Sequence, residues 1–173
     1  MNKTLNLGSG NSYVEGETNI DLYAARVDVR HDLNVLPYPF EGDTFDEIRC
    51  MNIIEHLDDP VAVMQELHRI GRNGCILTIR VPHFRSASVA EDITHRRGFA
   101  WRTFDMFTDD STLYGEYSKL KFTMVERQYT PYLFPLFYRL LSKVPLLTDH
   151  LLSKFVPMAS IRFVMKVEKR VER

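Results

Sequence analysis

Apolar and polar residues divide the chain into short extended segments and a few helical ones. Residues 3–7 read as a strand that stops at the small-residue turn Gly8, Ser9, Gly10, Asn11. Extended pieces follow at 18–22 and 27–31. A loop punctuated by Pro37, Pro39 and Gly42 then leads into a buried strand at 45–52. Asp58, Asp59 and Pro60 form a helix start, because an Asp caps free amides and Pro suits the first helical position. Val61, Met64, Leu67 and Ile70 continue at helical spacing. Gly71 to Gly74 should end that helix, before a strand at 75–81 stopped by Pro82. Residues 86–112 are polar, with helical stretches around 86–93 and 101–107. Strands follow at 121–129 and 160–167, on either side of a Leu- and Phe-rich region at 132–155.

Strands alternating with helices predict an α/β fold with a mainly parallel sheet. The first connections are short for it. Only residues 11–17 separate the first two strands and only 23–26 the next two, whereas a parallel crossover takes about 10–12 residues or more. A trimmed first half with one sheet face partly bare is the consequence. In the region 132–155, Leu133, Leu136, Phe137, Leu140, Leu141 and Val144 recur every three or four residues and trace one apolar helical face. A helix hairpin packed on the sheet is the expectation. A dimer interface or a peripheral membrane contact is the alternative.

At 173 residues the chain fits one domain. No apolar run reaches the roughly 18 residues of a spanning helix, and no apolar signal stretch opens the sequence. Cys50 and Cys75 lie inside apolar runs and make neither a disulfide framework nor a thiolate cluster. A cytoplasmic protein is expected. Net charge is −1, yet residues 1–66 carry 13 acidic and 4 basic side chains, a net of −9, and the remainder carries +8. An overall basic surface for nucleic acid is absent, so no nucleic-acid partner is expected.

The candidate chemistry begins at Leu7, Gly8, Ser9 and Gly10. A glycine turn at the carboxyl end of a first parallel strand lets a ligand approach the backbone. Asp21, near the end of the second strand, can accept hydrogen bonds from the hydroxyls of a ribose. Asp32 either meets an adenine amine or closes an Asx-type turn. The run then reads Leu36, Pro37, Tyr38, Pro39, Phe40, Glu41, Gly42, Asp43, Thr44, Phe45, Asp46, Glu47, Ile48. It continues as Ile54, Glu55, His56, Leu57, Asp58, Asp59, Pro60 and, further on, Leu67, His68, Arg69, Ile70, Gly71. This combination resembles the class I S-adenosylmethionine-dependent methyltransferases of the type 11 kind, with their LPFPDxSFDxV loop and strand and their LEHLxDP helix start. The resemblance covers residues 4–82.

The resemblance implies a Rossmann-like class I fold with an antiparallel C-terminal strand, in one domain over 1–173. Residues 1–82 would form the cofactor-binding half and 83–173 the substrate side. It implies S-adenosylmethionine as cofactor. Leu7, Gly8, Ser9 and Gly10 would line its methionine part, Asp21 and Leu22 the ribose, Asp32 and Leu33 the adenine, and Asn52, Ile53 and His56 the sulfonium. The family usually carries an acid two residues before the first glycine, where this chain has Asn6. The glycine-turn amides would serve the methionine carboxylate.

On the substrate side, His83 and His95 are candidate catalytic bases, since imidazole titrates near neutral pH. Arg85, Arg96 and Arg97 could hold an anionic group. Glu91, Asp92, His83 and His95 lack compact ligand spacing, and no metal is assigned. The expected function is methyl transfer to an oxygen or nitrogen of a small-molecule or glycan-like acceptor. A non-catalytic domain working through 132–155 is the rival. A nicotinamide enzyme is disfavoured, because G-x-G-x-x-G is missing.

Overall fold

The structure is a computed structural model that describes residues 2–108, 120–131, 140–155 and 158–169. Its centre is a seven-stranded sheet. The strands are β1 (Thr4–Leu7), β2 (Thr18–Asp21), β3 (Val29–Arg30), β4 (Phe45–Met51), β5 (Gly71–Pro82), β6 (Lys121–Pro131) and β7 (Met158–Glu168), in the order β3-β2-β1-β4-β5-β7-β6. The first five pair in parallel. β7 lies antiparallel between β5 and β6. This is the expected Rossmann-like class I arrangement, with its antiparallel C-terminal strand.

Register explains how the two faces differ. Leu5, Ile48, Leu77 and Met165 share one row, and Leu7, Cys50, Ile79 and Phe163 share the next. All are buried. Helix α1 (Pro60–Ile70) covers them with Val63, Met64, Leu67 and Ile70. Phe99, Phe104 and Phe107 belong to the same core. The opposite face carries Arg49, Thr78, Arg80, Arg162 and Lys166, and among the described residues no helix covers it. A sheet clothed on one side alternates apolar-in and polar-out, as β4 does from Phe45 to Met51.

The missing crossover helices are replaced by a side-chain ladder. Asn6 donates to the Ser12 carbonyl at 2.8 Å and to Asn19 Oδ1 at 3.0 Å. Asn19 in turn donates to the carbonyls of Val14 and Glu17 and to Asp28. Both polar atoms of the Asn19 side chain and the Asn6 amide nitrogen are bonded, so the 11–17 loop is pinned over β1 and β2 without a helix. The residue that departs from the family pattern, Asn6, is the foot of this ladder.

Asp59 caps α1 by accepting from the amides of Val61 and Ala62. The predicted break at Gly71–Gly74 is instead the start of β5: Gly71 leaves the helix with extended backbone and pairs with Phe45. A Cβ on Gly71 would lie 3.0 Å from the Leu67 carbonyl oxygen, so glycine permits helix and strand to join with no loop. The polar stretch after β5 is less helical than expected, with α2 confined to Ser88–Glu91 and a 3-10 turn at Asp105–Phe107. Leu133, Leu136 and Phe137 of the apolar region lie outside the described residues. The rest forms α3 (Pro145–His150) and a 3-10 turn at Leu152–Lys154.

Candidate functional site

At the carboxyl end of β1 the chain turns through Gly8 (φ 68°) and Gly10 (φ 50°). Gly8 also has no room for a side chain, since a Cβ there would sit 2.4 Å from Ile53 Cγ1. The amides of Gly8 and Ser9 both donate to the Ile20 carbonyl, and Gly10 donates to Asp21 Oδ2 at 2.9 Å. These three amides therefore hold the turn together, contrary to the expectation that they serve a ligand carboxylate. The donor left inside the turn is the Ser9 hydroxyl, which is buried and makes no hydrogen bond to protein.

Asp21 closes the other side. Its Oδ1 accepts from Tyr23 and Ala24 and its Oδ2 from Gly10. Burial pushes its pKa up, but the amides of Gly10, Ala24 and Tyr23 outweigh that and hold the carboxyl below its ordinary value. A carboxylate oxygen has two lone pairs. Oδ2 thus keeps one lone pair able to accept from a further donor.

Beside the turn opens a cleft of about 620 Å³, lined among others by Gly8, Ser9, Asn52, Arg49, Arg80 and Arg162. Asn52 sits at its edge in left-handed backbone (φ 57°) and accepts from Arg80 Nε at 3.2 Å. Asn is among the residues that enter this region most readily, so it suits the sharp exit from β4.

Directly after Asn52 and Ile53, a 3-10 turn over Ile54–His56 presents Glu55 and His56. His95 comes to them from the loop after α2, with its ring centroid 4.7 Å from that of His56 and its Nε2 3.9 Å from Glu55 Oε1. Two arginines clamp the loops together. Arg96 pairs with Asp58 at 2.6 Å and donates to the His56 carbonyl, and Arg97 donates to the carbonyls of Leu57 and Asp58. Gly98 completes the return, since a Cβ on it would lie 2.4 Å from Phe84 Cα. Glu55 is 1% exposed, and burial pushes its carboxyl up to about 7. Burial, and then His95, holds His56 below its ordinary pKa.

The predicted site residues separate into groups. Gly8, Ser9, Gly10, Asp21, Asn52, Ile53 and His56 gather around the carboxyl ends of β1, β2 and β4. Leu7 and Leu33 turn their side chains into the core. Leu22 lends its carbonyl to Arg30. Asp32 forms the Asx turn, accepting from the Asn34 amide at 2.9 Å.

His95 lies beside Glu55 and His56, but His83 does not suit a base. It is fully buried, its Nδ1 accepts from the Arg85 amide, and its Nε2 faces Asp149 Oδ1 at 3.1 Å. Both ring nitrogens are spent on structure. Arg96 and Arg97 serve as clamps, whereas Arg85 stays exposed beside the Phe84 ring. Sequence reasoning passed over Glu55 as a site residue. Its signal was there, as the neighbour of His56 in a motif at a strand exit.

Comparison with known proteins accords with this geometry. Residues 16–79 match a family described as methyltransferase domain. No curated protein matches the chain. Among solved structures, the YcgJ protein of Bacillus subtilis is 13% identical with a TM-score of 0.62, over 98% of this chain and 93% of that one. A S-adenosylmethionine-dependent methyltransferase from Mesorhizobium loti is 12% identical with a TM-score of 0.60, over 95% and 90%. The Haloferax volcanii complex between the Trm112 methyltransferase activator and a putative methyltransferase gives 15% identity and a TM-score of 0.62, over 99% and 84%. At these identities the likeness is one of fold.

Proposed function

We propose that this chain is a class I S-adenosylmethionine-dependent methyltransferase, a reading its partial domain match and its fold support, and that it methylates an oxygen or nitrogen of a small-molecule or glycan-like acceptor. The observation that carries the reading is the convergence of three features at one end of the sheet. These are the glycine turn with its unpartnered Ser9 hydroxyl, the Asp21 carboxylate with a lone pair to spare, and the Glu55, His56, His95 cluster at the exit of β4.

The residues fit the cofactor. Asp21 would hold the ribose, while Ser9 and Arg80 would meet the carboxylate of the methionine part. S-adenosylmethionine supplies a methyl group already activated by positive sulfur. The protein's share is therefore mainly positioning, which can contribute about 7–11 kcal/mol to a barrier. The acceptor must also lose a proton, and the Glu55, His56, His95 cluster is the group of side chains placed to assist that. The acidic first half of the chain favours a cofactor that carries a sulfonium and an ammonium, and the basic second half supplies Arg85 to an anionic acceptor. A cytoplasmic location and a partner contact through 132–155, with a second copy or a membrane surface, belong to the same reading. Among the described residues no helix is long and apolar enough to cross a membrane. The non-catalytic rival is not favoured, because it leaves the convergence at β1, β2 and β4 without a purpose.

Calorimetry with S-adenosylmethionine and S-adenosylhomocysteine tests this directly. Saturable binding is expected, with Asp21→Ala weakening it at least tenfold. No binding at millimolar ligand would overturn the enzyme reading. An unchanged affinity in Asp21→Ala would overturn the ribose assignment.

A further inference from the structure

Glu55, His56 and His95 each offer one ligand atom, and these atoms lie within 4.8 Å of one another. The hydrogen bonds around them decide what those atoms are. His95 Nδ1 lies 2.8 Å from the Ser88 carbonyl oxygen. A carbonyl only accepts, so Nδ1 carries a proton, and in the neutral ring Nε2 is a bare lone pair facing Glu55. Thr94 Oγ1 lies 2.6 Å from Asp92 Oδ1 and 2.9 Å from His56 Nδ1. With Asp92 ionised, the Thr94 hydrogen goes to Asp92, so Thr94 accepts from His56 Nδ1–H. That leaves His56 Nε2 bare as well. Burial encloses the Glu55 carboxyl, and its Oε2 makes no hydrogen bond to protein. Imidazoles whose second nitrogen is tied to a carbonyl, or through a hydroxyl to a carboxylate, are the usual support of metal-bound histidine.

We propose that Glu55, His56 and His95 bind one divalent transition-metal ion of the zinc class at the exit of β4. Two imidazoles and one carboxylate suit zinc and its neighbours, and leave a coordination position open. Ligand lengths of about 2.0–2.1 Å put tetrahedral donors roughly 3.3 Å apart. The 3.9 Å between His95 Nε2 and Glu55 Oε1 closes to that by small side-chain rotations. Asp92 Oδ2, 3.7 Å from His95 Nε2, stands at the exposed rim. The open position suits an acceptor hydroxyl, whose proton is easier to remove once its oxygen is on a metal. Only this use of the ion rests on the methyltransferase reading; its binding does not.

The test uses the full chain, stripped with chelator and titrated with Co²⁺ and with Zn²⁺ against a chromophoric competitor. One equivalent is expected, with the visible absorption of Co²⁺ in a low-symmetry nitrogen and oxygen site. His95→Ala and Glu55→Gln should each lower affinity at least tenfold. Thr94→Ala should lower it less, and His31→Ala, at a half-buried histidine outside the cluster, should change nothing. Circular dichroism of each variant separates lost binding from lost fold. Failure to bind one equivalent, or binding indifferent to both His95→Ala and Glu55→Gln, would overturn the proposal. S-adenosylhomocysteine binding measured on the same samples keeps the two readings apart. Cofactor bound without metal removes the ion alone, and metal bound without cofactor removes the methyltransferase reading alone.

Discussion

Gly8 shows how one residue joins the glycine turn to the exit of β4. Its positive φ suits glycine, and Ile53 occupies the space where a Cβ would go. Gly8→Ala therefore strains the backbone and pushes β4's exit away from β1. A loss of about 1–3 kcal/mol is expected from urea unfolding, the usual range for overpacking at a close contact. An unchanged midpoint would mean that Ile53 yields freely, and that the turn is looser than its contacts suggest. The same residue scale marks what could be read from sequence. The glycine turn and Asp21 were legible because each is a local signal at a strand end. His83 and His95 looked alike, because sequence shows residue type and not what the ring nitrogens touch. Glu55 and His95 stand 40 positions apart, and bonds from Thr94, Arg96 and Arg97 join their two loops.

Elements are held in place by a few buried polar groups, and Asp149 does most for the α3 segment. It accepts from His83 Nε2, from the Tyr129 hydroxyl at 2.6 Å and from the Trp101 amide at 2.8 Å. One carboxylate thus ties α3 to the end of β5, to β6 and to the loop between them. Burial pushes its pKa up, but His83, Tyr129 and Trp101 outweigh that and hold it below the ordinary value. A depressed folded pKa means that its stabilisation is complete above the unfolded value of about 3.9. It is lost as pH falls through the lower, folded value. Asp149→Ala strands three buried donors and should cost about 3–5 kcal/mol at neutral pH. The difference from the parent should shrink in acid. Denaturant unfolding at pH 7 and pH 3 checks both, and a pH-independent difference would remove the ionised carboxylate from the account.

Element types were largely legible for a related reason: the strands follow apolar period and the cap at Asp59 is local. The start of β5 was not, because Gly71 to Gly74 reads as a stop until its pairing with Phe45 is known. Nor was the ladder of Asn6, Asn19 and Asp28, which depends on register between strands.

At the scale of the whole molecule, two surfaces compete as places for association, and their chemistry separates them. The sheet face that no helix covers among the described residues is polar and internally paired. Arg49 pairs with Glu17, Arg162 with Glu126 at 3.2 Å, and Lys166 with Glu168 at 3.8 Å. Water suits such a face, and nothing drives a partner onto it. The 140–155 segment is the reverse. Leu140, Val144, Leu146, Leu147, Leu151 and Phe155 are all exposed, with Phe155 at 78%. Neighbouring apolar side chains on a short segment favour burial by about 25 cal/mol for each Å² removed from water. Association should therefore run through this segment and leave the bare sheet face in solvent. Leu147→Asp combined with Phe155→Asp should lower self-association in sedimentation equilibrium, or vesicle binding in flotation, at least tenfold. Arg49→Gln, on the sheet face, should change neither. Both side chains of the double variant are exposed, so its unfolding midpoint should hold within about 1 kcal/mol of the parent. An equal effect of Arg49→Gln would move the contact to the sheet face and make its polar character a binding surface rather than a solvent one.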